Sequence, residues 1–232
     1  MGNYRNGTET KNALYNSAKR NFYTKGYHNT SIKDIVSDVN ANLGLFTYYF
    51  DSKEAVGVSI IKEMVNDITM VLEEPLEELY HTNDLLLIDM VEYRTLFKCL
   101  SNNANLARYY LDISATRGYI NTCFHYMEYF MTRLIGRSAE YPTNDLIHDK
   151  VYASVAVSVA AGMEMQLARD ICNRHFTGDL WQAVDYFFAV FYSLLFSDKE
   201  LLANHIIKSK QIVDKFEIKL HDDFSVELIQ LS

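Results

Sequence analysis

A chain of 232 residues with 49% apolar and 22% charged residues has an ordinary soluble, globular balance, which excludes a collagen-like or disordered polymer. Two prolines and nine glycines are too few for an all-β fold, which needs a turn about every 8–12 residues, so long helices are expected. The net charge of −8 is unevenly spread: residues 1–55 hold seven Lys/Arg against five Asp/Glu and the rest 15 against 25, so only the N-terminal segment suits phosphates.

In chain order, the first helix is predicted over about Thr10–Lys25, because Leu14, Ala18 and Phe22 recur every fourth position. Lys25 followed by Gly26 is a stop signal. A second helix opens at Thr30 or Ser31, with Asp34 three residues on as a weak capping box, and buries Ile32, Ile35, Val36 and Val39. It breaks at Asn40-Ala41-Asn42, since Asn tolerates positive φ better than most side chains. A short third helix covers Leu43–Tyr49. Asp51 is placed to cap a fourth, which Pro75 ends. Further helices are expected near 76–80, 84–101, 104–115, 119–136, 145–174, 178–197 and 199–217. Phe216–Ser232 alternates weakly and reads as a helix end or a loose tail.

The segment MGNYRNGTETKN has no apolar stretch of the kind a signal peptide needs. The runs Val151–Met163 and Leu180–Phe196 are short for a bilayer span of ~20 residues and read as buried helices, with a cytoplasmic location. Cys99, Cys123 and Cys172 are odd in number and widely spaced, which favours neither disulfides nor a zinc site. His-x-x-x-His, Gly-x-Ser-x-Gly and phosphate-loop patterns are absent, so no enzyme, metal or cofactor is expected.

The second and third helices, joined by three residues, have the dimensions of a helix-turn-helix, whose second helix enters the major groove of DNA. A groove-facing helix start needs small or polar side chains and then groups that reach phosphates. Asn42, Gly44, Thr47, Tyr48 and Tyr49 supply these, and Lys53 stands where the next helix begins.

The stretch from Lys11 to Val56 resembles the N-terminal domain of the TetR (tetracycline repressor) family. The resemblance rests on the Ala18, Phe22, Gly26 spacing, Thr30-Ser31-Ile32 with Asp34-Ile35, Gly44, and Tyr48-Tyr49-Phe50-x-Ser52-Lys53-Glu54. It implies phosphate contacts from Ser31, Tyr48 and Lys53, and base or groove contacts from Leu43, Gly44, Thr47 and Tyr49. Three positions depart from the pattern: Asn40 where Gly is usual, Thr47 for the usual first aromatic, and Leu45 for a common Thr. Arg5, ahead of the first helix, is a weaker candidate for a minor-groove contact.

The resemblance also implies an all-α architecture, with a helix-turn-helix domain at 1–55 and a helical ligand-binding and dimerisation domain at 56–232. Tyr93, Phe97, Tyr110, Phe124, Met127, Phe130, Met131, Tyr152 and Met163 are the candidate lining of an effector pocket. Glu92, Asp112, Glu128 and Glu164 would suit a cationic ligand if they point inward. Ala153, Ala156, Ala160 and Gly162, with Val184, Phe187, Phe188, Phe191, Leu194 and Leu195, mark two helices for a four-helix dimer interface. The expected function is therefore a homodimeric transcriptional regulator acting as a repressor, released from a palindromic operator on double-stranded DNA by a small molecule, with no part in a membrane. The rival is an all-α cytosolic binding protein or bundle enzyme that does not touch DNA.

Overall fold

The computed structural model describes residues 7–80, 83–136, 141–176 and 178–231, so Arg5 lies outside the described residues. Helix α1, Gly7–Lys25, carries Glu9 in its first turn and Lys25 in its last, complementing the helix dipole at both ends. It stops where Gly26 turns to φ +88, and Gly26 N–H donates to the Phe22 carbonyl at 3.0 Å. A side chain there would be strained and would also meet Arg108 at 3.1 Å.

Helix α2, Ile32–Ser37, has a complete capping box, with Ser31 and Asp34 bonding reciprocally. Its turn into α3, Leu43–Tyr49, passes through Asn40 at φ 55. Leu14, Ala18, Phe22, Ile35, Val36 and Phe46 close a small core between the three helices. Buried polar ties fix their angles: Ser17 Oγ donates to the Ile35 carbonyl at 2.9 Å, and Asn21 Nδ2 donates to Asp38 at 2.6 Å.

Helix α4, Lys53–Tyr80, is capped by Ser52, whose Oγ accepts from Ala55 N–H at 3.0 Å, rather than by Asp51. It also runs through Pro75 instead of ending there. Leu72 and Leu76 are both buried and continue the apolar stripe, so packing outweighs the one hydrogen bond a proline removes. The boundary expected at residue 55 falls inside this continuous helix.

The rest is α5 (Leu85–Asn102), α6 (Ala104–Ile113), α7 (Arg117–Ile135), a 3-10 turn at Asp145–His148, α8 (Lys150–Cys172), α9 (Leu180–Ser193) and α10 (Lys199–Val213). Arg94 locks three of them: its buried guanidinium donates to Asp185 on α9, and to the Ile206 carbonyl (3.1 Å) and Ser209 Oγ (2.9 Å) on α10. Helix α8 is long and apolar enough to span a bilayer by composition, yet it carries the buried Glu164 together with Arg169 and Asp170.

The segment expected as a helix end or loose tail is a β-hairpin. Strand β1, Phe216–Leu220, pairs antiparallel with β2, Val226–Gln230, with Phe216 opposite Gln230 and Leu220 opposite Val226. Alternation at Phe216, Ile218 and Leu220 is the strand period, and the Asp223–Ser225 turn closes it with an Asp223 side-chain bond to Ser225 N–H at 3.0 Å. At the tip, Phe224 is buried against Tyr109 (4.8 Å between ring centres) and edge-on to Tyr23 of α1 (5.6 Å).

Candidate nucleic-acid interface and inner cavity

Helix α3 turns Phe46 inward, 1% exposed, and the opposite face outward. That face carries Leu43, Gly44, Thr47 and Tyr48, the last 79% exposed. Asn42 caps the helix by accepting from Leu45 N–H at 2.9 Å, which leaves its amide nitrogen to donate outward. A side chain at Gly44 would touch only Asn42, so its absence keeps the leading edge flat for close approach. Tyr49 is half-buried and packs edge-on to Tyr48, their rings 4.9 Å apart. Lys11 reaches over Phe50 at 6.0 Å, bringing a cation beside the end of α3.

Two expected phosphate groups have internal partners. The Ser31 hydroxyl already faces Asp34 at 2.6 Å. The Lys53 ammonium donates to the Tyr27 and Thr30 carbonyls, both at 2.9 Å, and lies 4.2 Å over the Tyr27 ring. Burial lowers its pKa. The loop between α1 and α2 turns the Tyr27 and Thr30 carbonyls toward the start of α4, so the lysine ties the head together.

Away from this head, α4, α5, α6, α7 and α8 enclose a cavity of about 430 Å³. Its walls are aromatic, with Tyr93, Tyr110, Tyr119, Tyr126 and Tyr129, and three carboxyl groups open onto it: Asp89, Glu92 and Glu164. Asp89 and Glu164 are at least nine-tenths buried. Burial pushes Asp89 well above the usual carboxylate range despite a hydrogen bond from Tyr192. It raises Glu164 to about 6 and also lifts Glu92. Both protein donors to Glu164, Tyr93 Oη at 3.3 Å and Cys123 Sγ at 3.2 Å, reach the same oxygen, Oε2. The Tyr110 and Tyr119 hydroxyls meet at 2.9 Å.

The cavity walls also grip the head. On α6, next to Tyr110, Tyr109 donates to the Gly57 carbonyl at 2.7 Å, and Arg108 donates to the Tyr23 and Thr24 carbonyls at 2.8 and 2.9 Å. On α7, next to Tyr119, Gly118 N–H donates to Glu54 at 2.5 Å.

Residues 14–57 match the model of the bacterial regulatory proteins of the tetR family. They span the three head helices and the first turn of α4. Residues 14–57 are a tetR-family domain.

Around this tetR-family head the relatives are more distant. A helix-turn-helix-type transcriptional regulator encoded in the lacX 3′ region of Lactococcus lactis is 30% identical over 102 residues, covering 40% of this chain and 52% of that protein. The regulator YdgC of Bacillus subtilis is 25% identical over 103 residues, covering 44% and 53%. The chain thus spans about half the length of these curated relatives. The fold is similar to that of RolR, solved with resorcinol (TM-score 0.60, 13% identity, covering 86% of this chain and 94% of that one). It is similar too to that of tylp, a tetR regulator from Streptomyces fradiae (TM-score 0.55, 16% identity, covering 90% of each).

Of the nine residues expected to line a pocket, Tyr93 and Tyr110 face the cavity. Phe97 stacks behind Tyr93 at 5.8 Å, fully buried. Met127, Phe130 and Met131 sit in the core, with Phe124 half-buried against it. Tyr152 points elsewhere, its hydroxyl donating to the Leu194 carbonyl at 2.8 Å, and Met163 lies in an outer groove between α8 and α9. Helix α7 is apolar on several faces, so periodicity does not separate core from cavity. Among the acids, Glu92 and Glu164 open inward, whereas Asp112 bonds His28 N–H and Glu128 is exposed beside His125. Asp89 was missed, although an acid four residues before Tyr93 on an apolar helix face is a readable signal.

The dimer helices also turn differently from expectation. Ala156, Ala160, Val184, Phe187, Phe188, Phe191 and Leu195 are buried in the chain's own core. The outer face instead shows Val151, Val155 and Val159, one helical turn apart, with Tyr186 and Val190 across the groove.

Proposed function

We propose that this chain is a DNA-binding transcriptional regulator, a repressor released from its operator by a small molecule. The observation that carries this is the outward face of α3: Leu43, Gly44, Thr47 and Tyr48 stand exposed on the second helix of a tetR-family head. On this reading Asn42, Leu43, Gly44, Thr47 and Tyr49 meet the groove. Tyr48 meets the backbone, and Lys11 supplies charge, while Ser31 and Lys53 are committed within the head. The head is residues 1–55 and the body 56–232.

A second copy covers the valine face of α8 and Tyr186 and Val190 of α9, because an apolar strip this regular on a helix otherwise packed in protein calls for a partner. That occupant, rather than lipid, accounts for the hydropathy of α8, and the protein works in the cytoplasm without a cofactor. Two heads on a two-fold axis read a roughly palindromic site, with recognition helices ~34–36 Å apart. RolR is a fold relative solved with resorcinol, which supports a small-molecule effector, and the cavity is the place for it in this chain. An effector there displaces α6 or α7, and Tyr109, Arg108 and Gly118 pass the shift to the head.

Selection of bound duplexes from a random DNA pool tests the reading. Enrichment of an inverted repeat by the wild type, lost in Tyr48→Ala/Thr47→Ala, is expected. An unenriched pool at low salt would leave the second reading, an all-α small-molecule-binding protein.

A further inference from the structure

We propose that the cavity between α4 and α8 takes an organic cation: an ammonium or similar cationic group carried on an apolar or aromatic body. The binding chemistry stands on the cavity alone; only the cation's effect on DNA rests on the regulatory reading above. Polar groups on the deep wall are acceptors waiting for donors. Glu164 Oε1 and Asp89 Oδ1 have no hydrogen-bond partner among the described residues, while the second oxygen of each is occupied. Both side chains are more than nine-tenths buried, and Glu92 adds a third carboxyl.

Five tyrosines line the surrounding wall, and aromatic rings are an ordinary setting for a desolvated cation. The positive groups nearby are solvent-exposed: Lys62 of α4 and His125 at the rim, and Arg133, which stacks over Tyr129 at 5.7 Å and whose charge favours ionised Asp89 and Glu92 without overcoming the effect of their burial. From α9, Tyr192 faces Asp89 with a neutral hydroxyl. A neutral phenol would hydrogen-bond one carboxyl without favouring the ionised form of any, and an anion would be repelled by whichever carboxyl is ionised. Without a cation the buried acids hold protons; Glu164 does so up to about pH 6. Cation binding therefore releases protons and tightens as pH rises through that value.

The full-length protein should be titrated calorimetrically with benzyltrimethylammonium and with neopentylbenzene, the same shape with carbon for nitrogen. Tetraphenylphosphonium and tetraphenylborate form a larger pair of opposite charge. At pH 7.5 a cation of either size is expected to bind at least about tenfold tighter than its counterpart, with the advantage shrinking at pH 5. Glu164→Gln should cost about tenfold for the cation and nothing for neopentylbenzene. Glu92→Gln, at a less buried position, repeats the test if the first variant does not fold. Equal affinity for cation and isostere, no binding of either cation, or indifference to both substitutions would overturn the proposal. A cation that binds as expected but leaves operator affinity unchanged would uphold it and remove effector release from the proposed function.

Discussion

Replacing Lys53 with Met keeps the stem and deletes the charge, and it separates two roles that the same residue could have. In the structure the ammonium holds the Tyr27 and Thr30 carbonyls at 2.9 Å each and covers the Tyr27 ring at 4.2 Å. A hydrogen bond from a charged donor contributes ~1.5–3 kcal/mol and a partly exposed cation–π contact ~0.5–1 kcal/mol. Water can replace part of both at this half-buried position, so the expected net loss is about 2 kcal/mol. In a chain of this size that lowers the melting temperature by roughly 4–8 °C. Binding to the selected operator should be measured by fluorescence anisotropy across salt concentrations, well below the melting temperature. A lysine that neutralises a phosphate adds ~0.9 to the slope of log K against log salt. Because the ammonium is committed inside the head, the slope is expected to stay at the wild-type value. A melting temperature within about 1 °C of wild type, together with a slope reduced by about 1.8 (one phosphate per protomer of the dimer), would refute the reasoning and restore the phosphate contact.

Other consequences can be tested separately. Arg94→Met leaves Asp185 and Ser209 without their partner and should cost ~3 kcal/mol in urea unfolding, while Arg94→Met/Asp185→Leu should recover most of it; equal losses would show that the pair is not coupled. Asp84, which caps α5, is opposed by burial but is held at about 2 by bonds from His205, Leu87 N–H and Tyr141, and the bond to Asp84 in turn raises His205. The pair's stabilisation is thus full between about pH 4 and 6.5, fading as pH rises through the raised histidine value and as it falls toward 2. His205→Gln should flatten the alkaline side of the melting-temperature profile, and an unchanged profile would exclude the pair as its origin. Val155→Asp places a charge in the middle of the exposed α8 face and should convert a dimer to monomer in sedimentation velocity; an intact dimer would put the interface elsewhere.

The head was legible because its local signals agree. Asn42 and Phe50 bracket α3 at the residues expected, Gly26 stops α1 through its φ, and Ser31 with Asp34 closes a full capping box. The body was legible as helices but not as faces. On α5 and α7 apolar residues surround the axis, so Phe97 and Met127 look as eligible for a cavity as Tyr93 does, and only packing decides. Pro75 misled because the value of burying Leu76 is set by tertiary contacts. The hairpin hid behind only five residues per strand, and only two residues separate the first strand from the end of α10.

That hairpin also imposes an order in time. Phe224 wedges between Tyr23 and Tyr109, so the seat of the head on the body is completed by residues synthesised about 190 positions after α1. At ~5–20 residues per second, the ribosome separates the two by on the order of 10–40 s. During that interval α1–α3 can form locally, but their support is unfinished. A chain interrupted before residue 216 would carry the DNA-facing helix without the aromatic wedge that orients it, leaving prematurely terminated products poor competitors for the operator.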